Sequence, residues 1–194
     1  MERWFDLIKD NYIYIFRNND TTDGEYILIP NYPDSITDSM VSTFQSTNAL
    51  SRSAPVWSYS YSGPRSVSIS VDLHRDMLDL VNAKNSSLKV EDLNEDYVDI
   101  IIRKLQSIAV PNYDNATKAV QPAQVFVRFG NEVAIKGIVH GNINVTYNKP
   151  ILEGNRYAQV TIGFNVYETD PYDARTIAQQ GSFRGITSTF QGIF

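Results

Sequence analysis

The amino-acid sequence predicts a mainly β fold, a β-barrel or β-sandwich, with one flanking α-helix. Three observations carry that prediction. Four strand-like runs follow one another between Gln124 and Glu168, separated by glycine-containing turns at Gly130-Asn131, Gly141-Asn142 and Gly154-Asn155. Glycine followed by asparagine tolerates the positive φ that tight turns between twisted strands require. The stretch Ser66–His74 alternates strictly: Val67, Ile69, Val71 and Leu73 point one way, while Ser66, Ser68, Ser70, Asp72 and His74 point the other. Only one long segment has the helical period.

The elements follow in order. Tyr12–Phe16 and Glu25–Ile29 flank Asp23-Gly24 and predict a hairpin, which Pro30 and Pro33 end. Met40–Phe44 is a short strand candidate, and polar Gln45–Ala54 reads as loop. From Pro55 to Ser62, Trp57, Tyr59 and Tyr61 alternate with Val56, Ser58 and Ser60, so both faces are candidate contact surfaces. The helix is predicted over 92–110, with Leu93, Tyr97, Ile100, Ile101, Leu105 and Ile108 on one face. Asp92 and Glu95 have the spacing of a capping box and Pro111 stops the run. The β-branched triplet Ile100–Ile102 lowers helix propensity, so burial must hold this helix. Asn112–Pro122 reads as a connecting loop.

Three regions result: an N-terminal extension with a hairpin over 1–24, a β domain over 25–173, and a tail over 174–194. The tail places Phe183, Ile186, Phe190 and Phe194 among glycine, serine and threonine. Too few apolar groups lie there for a core, and their aromatic content predicts an arm that docks on a neighbouring subunit. Trp57, Tyr59 and Tyr61 form the second set of partner-interface candidates, because tyrosine and tryptophan are enriched at interfaces.

Composition excludes several functions. With no cysteine in 194 residues, disulfides, thiolate metal sites and thiol catalysis are ruled out. Seventeen basic against 22 acidic residues, with no basic run, argue against a strong nonspecific grip on nucleic acid. No window approaches the roughly 18 apolar residues of a membrane span, and Met1–Lys9 lacks the apolar stretch of a signal peptide. The four Asn-x-Ser/Thr sequons are therefore read as chance.

The chemical constellations are weak. Leu73-His-Arg-Asp76 echoes a kinase catalytic loop, but the position where a metal-binding Asn belongs is Val81, and no glycine-rich loop accompanies it. Asp72, His74 and Asp76 would share a strand face and suit a metal only if the strand ran that far; capping of the strand end is the better reading. The carboxylates at Glu91-Asp92 and Glu95-Asp96 fit the favourable end of a helix dipole. No catalytic residue, metal or cofactor is assigned, and a non-enzymatic building block is expected.

Read together, several segments resemble the tube-type domain of contractile injection systems and phage tails. They are Ile29-Pro-Asn-Tyr-Pro-Asp34 with the Ser/Thr-rich strand after it, Leu50–Val56, Gly63–Leu73, the single helix, Pro122–Gly130, Gly137-Ile-Val139 and Phe164–Glu168. The chain is most similar in this respect to small proteins joining the tail tube to the baseplate. Many such relatives carry a peptidoglycan-binding LysM module, in whose place this sequence has the Phe-spaced tail. The resemblance implies a six-fold homo-oligomeric ring between the tail tube protein and the hub and baseplate proteins. DNA would be only passing cargo, and no membrane would be involved. It implies a virion component made in the host bacterial cytoplasm. A repeating tube subunit or baseplate wedge component is the alternative within that class. A β-sandwich carbohydrate- or receptor-binding module, with Trp57, Tyr59 and Tyr61 as its platform, is the alternative outside it. Ser66–His74 and Asn142–Asn148 are the expected lumen-lining strands.

Overall fold

The structure, a computed structural model, describes residues 11–17, 20–29, 31–48, 50–51, 53–75, 96–115, 118–120 and 122–169. Twelve strands and one helix lie among them: β1 (Asn11–Arg17), β2 (Asp20–Leu28), β3 (Ser35–Ser39), β4 (Ser42–Thr47), β5 (Val56–Ser62), β6 (Ser66–His74), α1 (Tyr97–Ile108), β7 (Asn112–Asn115), β8 (Lys118–Val120), β9 (Gln124–Phe129), β10 (Val133–Val139), β11 (Asn144–Leu152) and β12 (Arg156–Glu168). The fold is mainly β with a single helix among the described residues, as the sequence predicts.

Seven strands form one path, β2-β1-β9-β10-β12-β6-β3, and β11 joins it by pairing with β12. Every pairing is antiparallel. The path does not close into a barrel, since β2 and β3 are not hydrogen-bonded to each other. Yet they are consecutive in the chain, and residues 29–34 connect them. Six residues span at most about 20 Å, so the sheet must curl to bring its two ends together.

The strict alternation of β6 is realised in full: Val67, Ile69, Val71 and Leu73 are all buried. Directly opposite them on β12 lie Val166, Phe164, Ile162 and Val160, also buried. These residues join Ile13, Ile15, Ile27, Val125, Val127, Phe129, Ile135 and the apolar face of α1 in one core cluster. A smaller cluster of Tyr12, Phe16, Leu28, Phe126 and Ala134 occupies the other side of β1, β2, β9 and β10.

Helix α1 buries Tyr97, Val98, Ile100, Ile101, Ile102, Leu105 and Ile108. Its β-branched triplet is tolerated because all three isoleucines are packed in the core. The N-cap is Asp96, whose carboxylate accepts from the Val98 N–H at 2.9 Å; the expected capping pair Asp92 and Glu95 lies outside the described residues. The Tyr97 hydroxyl donates to the Leu28 carbonyl at 2.8 Å, and Lys104 pairs with buried Glu25 of β2 at 3.0 Å. Burial pushes the Tyr97 phenol well above its ordinary pKa, so it stays a donor throughout the working range. At the helix start, Arg75 binds Asp96 and Asp99, and its Nε donates to the Tyr157 carbonyl. Burial opposes the charge on Arg75, but the hydrogen bonds to Asp99 and Asp96 outweigh it and hold the guanidinium above its ordinary pKa.

Three expectations are corrected. The loop expected from Gln45 begins later, because β4 runs to Thr47. Asn112–Asn115 and Lys118–Val120, expected as loop, are paired strands, β7 with β8. The four-strand run is also not a simple meander: β9 pairs β10 and β11 pairs β12, but β10 and β11 do not pair. Instead β10 takes Val166–Glu168 at one end of β12, and β11 takes Arg156–Gly163 of the same strand. Gly141, at φ +83°, therefore redirects the chain between two hairpins instead of closing one.

Candidate functional site

Two surfaces stand out, and both are built on the β3–β6 pair. The first is the side of the sheet turned away from the core. Cross-strand register places Ser35, Thr37 and Ser39 of β3 beside Ser70, Ser68 and Ser66 of β6. Gly163, Asn165 and Tyr167 of β12 continue the row, and beyond Gly163 lies Asn144. Further along, Asp72 sits opposite Thr161 and Thr146, while His74 sits opposite Gln159 and Asn148. Of the two segments expected to line a lumen, Ser66–His74 and Asn142–Asn148, the strand part of the second begins at Asn144, and the two flank β12 on one continuous face. That face is mostly hydroxyl and amide; its titratable groups include His74, Asp72 with Asp34 hydrogen-bonded to it, and Tyr167, on whose ring His140 stacks.

Asp72 is tied into this face. Thr161 and Gln159 donate to its two carboxylate oxygens, and Asn148 donates to Thr161 at 3.0 Å. Burial raises the Asp72 pKa, but hydrogen bonds from Thr161, Asp34 and Gln159, with attraction to His74, hold it below the ordinary carboxylate value. Asp34 goes the other way: its hydrogen bond to Asp72, then burial and the Asp72 charge, raise it. The pair shares a proton most readily in acid. Asp34 thus contributes stability that is present at low pH and lost as pH rises through its raised value; Asp72 does the reverse. Asp34→Asn is expected to raise the melting temperature at pH 7, with the gain vanishing below about pH 3. A pH-independent difference would show that the two carboxyls are uncoupled. Of the metal arrangement considered for Asp72, His74 and Asp76, the Asp72 oxygens are engaged by Thr161 and Gln159, and Asp76 lies outside the described residues. Among the described residues no three acidic or histidine groups are gathered for a metal ion.

The second surface is a ribbon. Among the described residues β4 and β5 pair only with each other, yet they continue β3 and β6 past the end of the main sheet. The Gly63 N–H donates to the Val41 carbonyl at 2.8 Å, bridging the ladder across the joint. Every residue of β5 is exposed, including Trp57 at 63%, Tyr59 at 58% and Tyr61 at 60%. A two-stranded ribbon in water is marginal by itself.

Register decides which way its side chains face. Ser39 opposes Ser66 and Ser42 opposes Ser62, so two residues of the β3–β4 strand face three of the other. The extra residue lies on the Gly63–Arg65 side. The alternation of β3 therefore carries unbroken into β4, and Met40 and Phe44 share the core side with Ile36 and Asp38. A second bulge follows: Thr43 opposes Tyr61, but Phe44 opposes Tyr59. Phe44, Tyr59 and Trp57 thus lie on the core side of the ribbon, with the Phe44 and Tyr59 rings edge-on at 5.6 Å. Tyr61 is on the opposite face. The simple alternation expected for Trp57, Tyr59 and Tyr61 fails at Tyr61 because the bulge shifts its side.

At the joint sits Arg65, 2% exposed. Its guanidinium grips Asp38 with three hydrogen bonds of 2.6–3.0 Å and lies 3.9 Å from the buried Glu168 carboxylate. The Glu168 N–H returns a bond to the Arg65 carbonyl at 2.9 Å. Sequence reasoning missed Arg65, although the period that buries Val67, stepped back by two, already puts it on the core side.

The remaining interface candidates, Phe183, Ile186, Phe190 and Phe194, lie outside the described residues. Among the described residues no helix is long and apolar enough to cross a membrane. No family model and no curated protein matches this chain. Among solved structures it is similar to a chain from the tail of an empty GTA particle of C6 symmetry. The identity is 14% and the TM-score 0.39, over 86% of this chain and 97% of that one.

Proposed function

We propose that the chain is a non-enzymatic structural subunit of a phage tail or related injection machine, assembling as a six-fold ring that joins the tail tube to the central hub of the baseplate. The observation that carries the proposal is a sheet with an apolar core on one side, a solvated hydroxyl and amide face on the other side of β3, β6, β12 and β11, and, among the described residues, unclosed edges at β2, β3 and β11. Unpaired strand edges on a stable chain are hazards unless another molecule covers them. Repetition around a closed axis covers them without leaving free ends. The polar face then lines a channel with little charge, across which DNA or protein passes without being held. The segments resembling tube-to-baseplate proteins favour the junction over the repeating tube and give the tail tube protein, the hub and other baseplate proteins as neighbours. The protein is then made in the bacterial cytoplasm and resides in the particle.

Antibody-gold labelling of intact particles, with negative-stain imaging of the purified chain, tests this. Label at one level, between tube and baseplate, is the expected result, and label along the whole tube would favour the repeating subunit. A protein absent from particles would overturn the proposal.

A further inference from the structure

We infer that the β4–β5 ribbon is a self-docking arm: the strip of Phe44, Trp57 and Tyr59 seats on the β11–β12 hairpin of a second copy, at Tyr147, Ile151 and Tyr157. The inference rests on the ring reading and names the contact that would build it.

The strip lies on the side of the sheet that elsewhere forms the core, but beyond the point where the chain's own core ends. Phe44, Trp57 and Tyr59 are 51%, 63% and 58% exposed. Aromatic side chains offer about 150–250 Å² each, so roughly 350 Å² of these three rings is uncovered. Met40, on the same side and 53% exposed, enlarges the patch. This is already close to half of the roughly 800 Å² that each partner contributes to a standard interface, and it matches the largest, often functional, apolar patch of a typical monomer.

The occupant follows from what else the chain exposes. Among the described residues, eight of the fourteen exposed large apolar residues fall between Met40 and Tyr61, on the ribbon, its joint and its turn, and Tyr147, Ile151 and Tyr157 form a second group on the β11–β12 hairpin. The Tyr147 and Tyr157 rings lie 5.9 Å apart and form a ready aromatic platform. Beside it runs the outer edge of β11, which among the described residues pairs only with β12. That edge gives an incoming ribbon strand backbone partners as well as an apolar seat. The strip itself carries no charge, so docking leaves no buried ion unpaired. Each ribbon strand spans about 20 Å, enough to reach across a subunit boundary. Arm and seat are different surfaces, so the contact is head-to-tail and propagates around a ring.

The chain has no cysteine, so introduced thiols report on single contacts. Mixed Tyr59→Cys and Tyr157→Cys copies are expected to form an intermolecular disulfide under mild oxidation that neither forms alone. Trp57→Ala is expected to weaken self-association about tenfold or more, with Trp57→Phe recovering most of it and circular dichroism unchanged. The inference is overturned by Tyr59→Cys copies linking only to each other. It is equally overturned by a chain that stays monomeric and unlinked at its highest soluble concentration, or by glycan binding that needs Trp57 while association does not. If the disulfide fails while gold labelling still finds the protein in tail rings, the arm contact is wrong and the ring reading stands. A disulfide without labelling gives the converse.

Discussion

Arg65→Ala is expected to destabilise the fold by about 3 kcal/mol, because it takes the guanidinium out of a buried ion pair. The melting temperature should fall by roughly 6–12 °C for a chain of this size. Buried Glu168 loses a neighbouring positive charge: its side chain is 5% exposed and Arg65 lies 3.9 Å away. Asp38 loses its three bonds from the guanidinium as well, but it is 40% exposed and water can replace them. Arg65→Lys keeps the charge yet cannot reproduce the fork on Asp38, so it should recover only part of the loss. The same variants loosen the joint between sheet and ribbon, which the anisotropy of Trp57 fluorescence would register in a chain with Trp4 replaced by Phe. An Arg65→Ala chain that melts with the unsubstituted protein would show that the clamp carries no stability.

The second large effect is expected at Gly137. A Cβ there would fall 1.9 Å from the Tyr167 carbonyl oxygen and 2.7 Å from its carbon. Both are backbone atoms, so no side chain can swing aside. Gly137 opposes Glu168 in the three-pair contact by which β10 holds the end of β12, and there is little ladder to absorb a shift. Gly137→Ala is expected to cost about 3 kcal/mol, at the upper end for overpacking. Gly163→Ala is the control: it lies in the same strand system, but its nearest neighbour is the Ile69 carbonyl oxygen at 4.0 Å. That variant should stay within about 0.5 kcal/mol of the parent. Equal denaturant midpoints for the two variants would show that β10 and β12 are not in this close approach.

The core was legible where one face of an element meets it. β6 announces itself because its period of two matches burial residue by residue, and α1 because its apolar stripe is packed along its length. Pairing was less legible. Gly141-Asn142 has the chemistry of a hairpin turn, but local turn preference does not decide whether the next strand folds back beside the last; here β12 is the better partner for both β10 and β11. The ribbon was under-read because β4 is Ser, Thr and Gln around one Phe, a composition that resembles loop when no core face imposes a period. Its bulges were invisible too, since one inserted residue leaves the sequence alternation intact while exchanging the faces. The Asp34–Asp72 pair and the Arg65 clamp depend on contacts across tens of residues and have no local signature.

The passage of β3 into β4, and of β5 into β6 through the bulge at Gly63–Arg65, has a mechanical consequence. A pull on the ribbon along its length enters the body of the molecule as shear, because β6 is flanked by β3 on one side and β12 on the other. Bonds loaded in shear share tension and yield together, whereas an arm attached at right angles would peel them away one at a time. A component fastened in this way passes force between layers of a machine that moves, instead of tearing at its own hinge.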